Sequence, residues 1–221
     1  MATQPGLREL KKQRTRRLLA ETAWRLFADR GFEQVTVAEV ARAAEVSEAT
    51  AFNYFPTKEA LVFAGMHAPG RRLLDAVRDR PAGEPALRAL ERFLADGAGH
   101  AREAGVGETI AVTARMVAAS PTLRARQAEI LTDQAAALAG LLAAETGDHP
   151  DDPGLQATAH ALVGVHRAVL DGTRRAALAG DRGDRLAASE RAVVAAAVAA
   201  VAAGLGDAAR RPADREQPQP A

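Results

Sequence analysis

The sequence contains no cysteine, which excludes disulfides and thiolate chemistry and suits a reducing compartment. Aromatic residues are scarce, with one tryptophan, one tyrosine and six phenylalanines. All but Phe93 fall between Trp24 and Phe63, so the chain changes packing style near residue 65. Only three serines occur. Ser47 and Ser120 read as helix caps and Ser189 sits in no nucleophile elbow, which leaves serine chemistry without a nucleophile. No uninterrupted apolar window of about 18 residues exists, and no charged-then-apolar leader opens the chain. The reading is a soluble, cytoplasmic protein with no membrane partner. Strict alternation of apolar and polar residues is also missing, which argues against strands.

What is present is helical. Alanine, leucine and arginine dominate, nearly half of the 221 residues are apolar, and the formal charge is only +1, so the whole molecule is not an indiscriminate polyanion binder. The positive charge is concentrated instead. Arg8, Lys11, Lys12, Arg14, Arg16 and Arg17 face one nearby acid, Glu9. Such a run is ordinarily a solvated arm, but ahead of a helix-turn-helix it contacts phosphate.

The expected fold class is all-α. Residues 1–9 read as a flexible basic arm, 10–56 as a helix-turn-helix domain, 57–205 as a helical bundle, and 206–221 as a disordered, proline-rich tail. In the helix over 10–30, Leu19, Ala23, Leu26 and Phe27 share one face, and Gly31 stops it. Thr36 and Glu39 form a Thr-x-x-Glu capping box for a helix over 37–44. Glu45-Val46-Ser47 makes a turn, and Ser47 caps a helix over 48–54. Pro56-Thr57 ends that helix and starts a fourth at Lys58. Pro69-Gly70 is expected to kink or break the fourth helix, and Pro81 with Gly83 to end its continuation. Further helices are expected over 85–103, 107–119, 121–145, 154–179 and 184–205.

Two short helices joined by a three-residue turn form a reading head whose second helix fits a major groove. Ala41 occupies the crowded crossing, with Val40, Ala44 and Val46 pointing inward. The turn position favours glycine because its backbone is left-handed. Glu45 stands there at a cost on the order of 1 kcal/mol. Ala51, small for its place, anchors the second helix. A reading head of this size covers few base pairs alone, so a two-fold dimer is expected. The stripes Val194, Val198, Val201, Leu205 and Leu155, Ala159, Leu162, His166, Leu170 are its candidate faces, with an intrachain core as the other reading.

At this point the chain resembles the TetR family of bacterial one-component transcriptional regulators. The resemblance spans about residues 12–64: an Arg-rich start, Ala23 with Leu26-Phe27, Gly31-Phe32, the capped segment from Thr36, Val46-Ser47, and Tyr54-Phe55-Pro56-Thr57-Lys58-Glu59-Ala60-Leu61. It implies an all-helical homodimer that binds operator DNA and a small effector that lowers DNA affinity. It also implies roles for residues. Thr36, Tyr54 and Lys58 contact backbone phosphate, as does Arg14 in the basic run, while Ser47, Glu48, Ala49, Thr50 and Asn53 form the exposed recognition surface. Phe52 stands where many members carry tyrosine. The Thr50 methyl group and the Asn53 amide are the groups able to discriminate bases. The head is similar to a subgroup associated with acyl-CoA-like ligands, so the effector is expected to be small and apolar or amphipathic. Phe63, Met66, Phe93, Ile110, Met116, Leu162 and His166 are candidate effector-pocket residues, each equally readable as plain core.

An enzyme is the weakest alternative. Gly105-Val-Gly107-Glu-Thr-Ile lacks the third glycine of a dinucleotide fingerprint. His160 and His166 fall on different helix faces, whereas a helical metal pair wants i and i+4. No catalytic residue, metal or cofactor is therefore expected. The remaining alternative is a helical interaction module without sequence-specific DNA binding.

Overall fold

The computed structural model describes residues 6–205, without the side chains of Leu7, residues 65–71 and Leu205. Every regular element among them is an α-helix: α1 (Leu7–Arg30), α2 (Val37–Ala43), α3 (Glu48–Tyr54), α4 (Lys58–Val62), α5 (Ala64–Arg78), α6 (Ala86–His100), α7 (Val106–Ala119), α8 (Pro121–Thr146), α9 (Pro153–Leu178) and α10 (Gly183–Leu205). The chain forms two compact units. The first takes the residues up to Pro69 together with Val112–Arg126, and the second takes Gly70–Ala111 and the chain from Gln127 onward. Thus α7 and α8 each give residues to both units.

The first unit is organised by caps. Thr36 and Glu39 form the complete reciprocal box, Thr36 Oγ1 accepting the Glu39 N–H while the Glu39 carboxylate accepts the Thr36 N–H. Ser47 Oγ accepts from Thr50 N, and Thr57 Oγ1 accepts from Ala60 N. Each cap supplies an acceptor to an N–H that has no partner inside its own helix. Leu19, Ala23 and Phe27 are buried as the spacing predicts, and Leu26 is half-buried. The Phe27 and Phe32 rings meet edge-on with centroids 5.3 Å apart. Two long-range bonds close the unit. Ser120 Oγ donates to Glu33 Oε1 at 2.7 Å, and Trp24 Nε1 donates to Thr113 Oγ1 at 3.4 Å.

The second unit is an aliphatic and alanine core from α5, α6, α8, α9 and α10, including Leu73, Leu90, Leu138, Leu162 and Val194. Gly172 lets α9 and α10 approach, because a Cβ there would lie 2.8 Å from the Val193 methyl groups. The Arg80 guanidinium is wholly buried, bonded to both oxygens of Glu145 (3.0 and 2.6 Å) and to the Val77 and Glu84 carbonyls.

Several expectations are corrected. The basic arm of 1–9 is helical from Leu7, and residues 1–5, like the tail 206–221, lie outside the described residues. The break expected at Pro69-Gly70 occurs at Phe63 instead, and both residues lie inside α5. Pro69 is the sixth residue of α5, so the helix runs through it at the loss of one backbone hydrogen bond. The two apolar stripes also turn inward. Leu155, Ala159, Leu162, Val194 and Val198 all belong to the core of their own chain. The opposite side of α9 and α10 instead forms an open groove of about 650 Å³ lined by Ala168, Asp171, Arg175, Ala192, Val193, Ala196 and Ala197. By length and composition alone the Gly183–Gly204 stretch of α10 could cross a membrane. Its inner residues, Leu186, Ala187, Val194 and Val198, are buried in the protein.

Candidate nucleic-acid interface

The turn between α2 and α3 is fixed by its backbone. The Val46 N–H donates to the Ala41 carbonyl (3.0 Å) and the Glu45 N–H to the Arg42 carbonyl (3.1 Å). This is the two-bond closure of a Schellman motif, and it requires a left-handed residue between. Glu45 fills that place at φ 55°, the one non-glycine residue with positive φ among those described. The strain expected from the sequence is therefore present.

The turn sets α3 on α2 through small side chains. Ala41, Ala44 and Ala51 are all buried, and Val46 is half-buried. Beneath α3, Phe55 is buried with the Arg16 guanidinium 4.4 Å above its ring, and Arg16 Nη1 donates to the Tyr54 carbonyl at 3.0 Å. Arg16 is thus a clamp on the end of α3, although the sequence groups it with the phosphate-contacting run. The separation of 38 positions between Arg16 and Tyr54 hides this contact from any local pattern. The Arg17–Glu21 pair (2.6 Å) follows ordinary i,i+4 spacing.

Clamped this way, α3 turns Ser47, Glu48, Ala49, Phe52 and Asn53 to solvent, with Thr50 half-buried. The Thr50 hydroxyl is shared with Ser47 Oγ at 2.7 Å, so its methyl group is the apolar feature it can offer. Phe52 is 42% exposed, which is unusual for a large apolar ring on a seven-residue helix. Its place on the same face as Asn53 puts an apolar contact beside an amide.

The residues expected to contact phosphate sit around this face in differing states. Arg14 is exposed on α1, and Tyr54 is half-buried. Lys58 Nζ donates to the Glu33 carbonyl at 3.4 Å and lies 4.2 Å from the Phe32 ring centroid. That bond uses one of the three donors of its ammonium. Thr36 Oγ1 is committed to Glu39, donating to Oε2 at 2.9 Å while accepting the Glu39 N–H. Phosphate would have to compete for that proton. The Glu39 carboxyl is held down to about 2 by the Thr36 backbone N–H, by Arg30 at 2.8 Å and by the Thr36 hydroxyl. It remains an anion at any physiological pH.

The candidate effector residues are divided between the two units. Phe63 and Met116 are buried in the first unit, and the side chain of Met66 lies outside the described residues. Ile110 packs against a small cluster of Ala101, Ala111, Ala177, Leu186 and Ala187. Three do gather in the second unit. Leu162 belongs to its main core, Phe93 packs on that core, and the His166 ring meets Phe93 edge-on with centroids 6.5 Å apart. Burial, with a smaller contribution from Arg174, lowers the His166 pKa to about 4, so the imidazole is neutral. Among the described residues no group of three or more His, Asp or Glu side chains is placed to hold a metal.

Comparison with known proteins fits this geometry. The family model described as bacterial regulatory proteins of the tetR family matches residues 19–64, which span α1 to the start of α5. The HTH-type transcriptional regulator TcmR of Streptomyces glaucescens is 34% identical over 152 residues, covering 67% of each chain. Among solved structures, a TetR-family transcriptional regulator from Mesorhizobium loti superposes with a TM-score of 0.51 at 15% identity. The match covers 87% of this chain and 96% of that one. The transcriptional regulator FadR from Bacillus subtilis, solved with stearoyl-CoA, gives 0.50 at 19% identity, covering 82% and 96%. At these identities the two structures show a shared fold. The extended match to TcmR shows kinship, and the chain belongs to the TetR family of DNA-binding transcriptional regulators.

Proposed function

We propose that this protein is a cytoplasmic, ligand-responsive repressor that binds a palindromic operator as a homodimer and has no catalytic activity. The observation that carries the proposal is the exposed face of α3, where Asn53 and Phe52 stand beside Ser47, Glu48 and Ala49. An amide able to pair with an adenine edge and a ring able to meet a thymine methyl group can discriminate bases. Arg14, Tyr54 and Lys58, with Thr36 once its hydroxyl turns from Glu39 to donate to phosphate, position the head on the DNA backbone.

One reading head spans too few base pairs for an operator to be unique. The dimer is proposed to form through the outer face of α9 and α10, whose alanine-lined groove lets a second copy of the pair approach closely. Burial of that face in a dimer, rather than contact with a membrane, accounts for the apolar composition of α10. The effector is proposed to be small and apolar or amphipathic and to enter the second unit near Phe93, Leu162 and His166. An acyl-CoA-like ligand is supported by the likeness of the reading head to a subgroup associated with such ligands and by the shared fold with the stearoyl-CoA-bound FadR of Bacillus subtilis.

Selection of bound fragments from random duplex DNA, followed by footprinting, tests the reading. A two-fold symmetric site is expected, and equal affinity for scrambled duplex would sink the proposal. Within the selected site, Asn53→Ala is expected to lower discrimination at one position by about 1–3 kcal/mol. Tyr54→Phe should weaken all sequences about equally.

A further inference from the structure

Among the described residues, three buried polar atoms of the second unit have no hydrogen-bond partner: Gln134 Oε1 on α8, and His166 Nδ1 and Thr173 Oγ1 on α9. Each belongs to a residue more than nine-tenths buried. They lie where an apolar core would be expected. Gln134 stands between the core residues Leu131 and Leu138, and His166 between Leu162 and Val169, one helical turn to either side. Helices α8 and α9 are joined by the short segment from Gly147 to Asp152. Gln134 lies 12 residues before the end of α8 and His166 13 residues after the start of α9, so both sit about 18–20 Å from the turn at 1.5 Å per residue. Thr173 is seven residues further along the same face of α9, about 10 Å away.

Beside this face Arg174 lies 3.6 Å from Asp171, which Arg167 also approaches at 3.7 Å, so both guanidinium groups are engaged with one carboxylate. On α10, Glu190 shares a stripe with the buried Leu186 and Val194, and burial pushes its carboxyl pKa up. A buried carboxylate or phosphate brought here would have to compete with Asp171 for these two cations and would carry its own desolvation cost.

We propose that Gln134, His166 and Thr173 form the polar track of the effector site, and that the effector is an elongated, uncharged molecule with hydrogen-bonding groups about 10 Å apart on an apolar body. Gln134 Oε1 can only accept, so the end of the ligand nearest it carries a donor such as a hydroxyl or amide N–H. Phe93, Leu162 and Val169 offer the apolar lining. This rests on the reading of the protein as an effector-responsive regulator, and it adds two residues and a ligand class to that reading.

The test uses 1,8-octanediol as the probe, with the dianion suberate as its charged match, each at 2 mM and pH 8 on the full chain. The diol is expected to raise the melting temperature by about 2 °C or more, and suberate to leave it unchanged. Thr173→Val and Gln134→Met remove the unpartnered atoms with little change in volume. Each is expected to raise the melting temperature of the free protein by about 2–4 °C and to lose at least about half of the diol response. A diol without effect on the wild type, or an equal shift with suberate, overturns the proposal. So do variants that melt below the wild type, because the atoms would then belong to a water-bridged network of the fold. A protein that selects no operator from random DNA sinks the regulator reading itself. Operator binding with no diol response sinks only the present inference.

Discussion

In the first unit three helix starts are fixed by polar side chains on the backbone close to them. Thr36, Ser47 and Thr57 each accept the N–H three residues ahead, and Glu39 returns the bond to Thr36. In the second unit α9 starts in this way, with Asp152 accepting the Leu155 N–H, while α6 starts at Pro85 without a side-chain cap. Its polar groups are instead settled across long distances, as in Arg80 with Glu145, or left unpartnered, as in Gln134, His166 and Thr173. The contrast separates a head whose geometry must be rigid to read DNA from a bundle whose interior keeps polar atoms in reserve. Local bonds fix short helices, and unpaired buried atoms are tolerable where something else completes them.

The sharpest way to break this comparison is Arg80→Ala. Truncation leaves the largely buried Glu145 carboxylate and two carbonyls uncompensated, so a loss of about 3–5 kcal/mol is expected in urea unfolding. A loss below about 1 kcal/mol would show that the bundle does not depend on its long-range pairs. Next in size is the pH response of His166. Its folded pKa of about 4 lies below the ordinary 6.5, so between these values the unfolded chain binds more protons. Stability is then full above pH 6.5 and falls on acidification toward pH 4, by an amount on the order of 2–3 kcal/mol. His166→Phe should flatten that part of the profile, and an unchanged slope would place the titration elsewhere.

Smaller effects are expected in the head. Thr36→Ala removes the hydroxyl that accepts the Glu39 N–H, leaves the Thr36 backbone N–H on the Glu39 carboxylate, and should cost about 1 kcal/mol, read from the unfolding midpoint. Glu45→Gly should act in the opposite direction. It relieves the left-handed strain at φ 55° and gains about 0.5–1 kcal/mol, provided the turn is as rigid as its two bonds imply. A destabilised Glu45→Gly protein would mean that the side chain of Glu45 contributes more than its backbone costs.

Legibility followed the same divide. Capping box, turn residue and proline-terminated α3 are signals confined to three or four residues, and the helices they delimit appear within one residue of the expected bounds. The break at Phe63 was not legible, since no breaker residue marks it. The fate of the apolar stripes on α9 and α10 was not legible either. Helical spacing says that Leu162 or Val198 is buried, but it cannot say whether the partner is the same chain or another copy. The same limit scattered the candidate effector residues over two units.

By itself the sequence determined the local geometry of the reading head, because caps, a left-handed turn residue and an aromatic base act over distances shorter than one helical turn. It also determined the all-helical class through composition and spacing. Only the tertiary structure decided that Arg16 clamps Tyr54 and Phe55, that Arg80 is sealed against Glu145, and that Gln134, His166 and Thr173 share one interior. These are encounters between residues far apart in the chain, fixed by how whole helices pack and not by any neighbouring pattern.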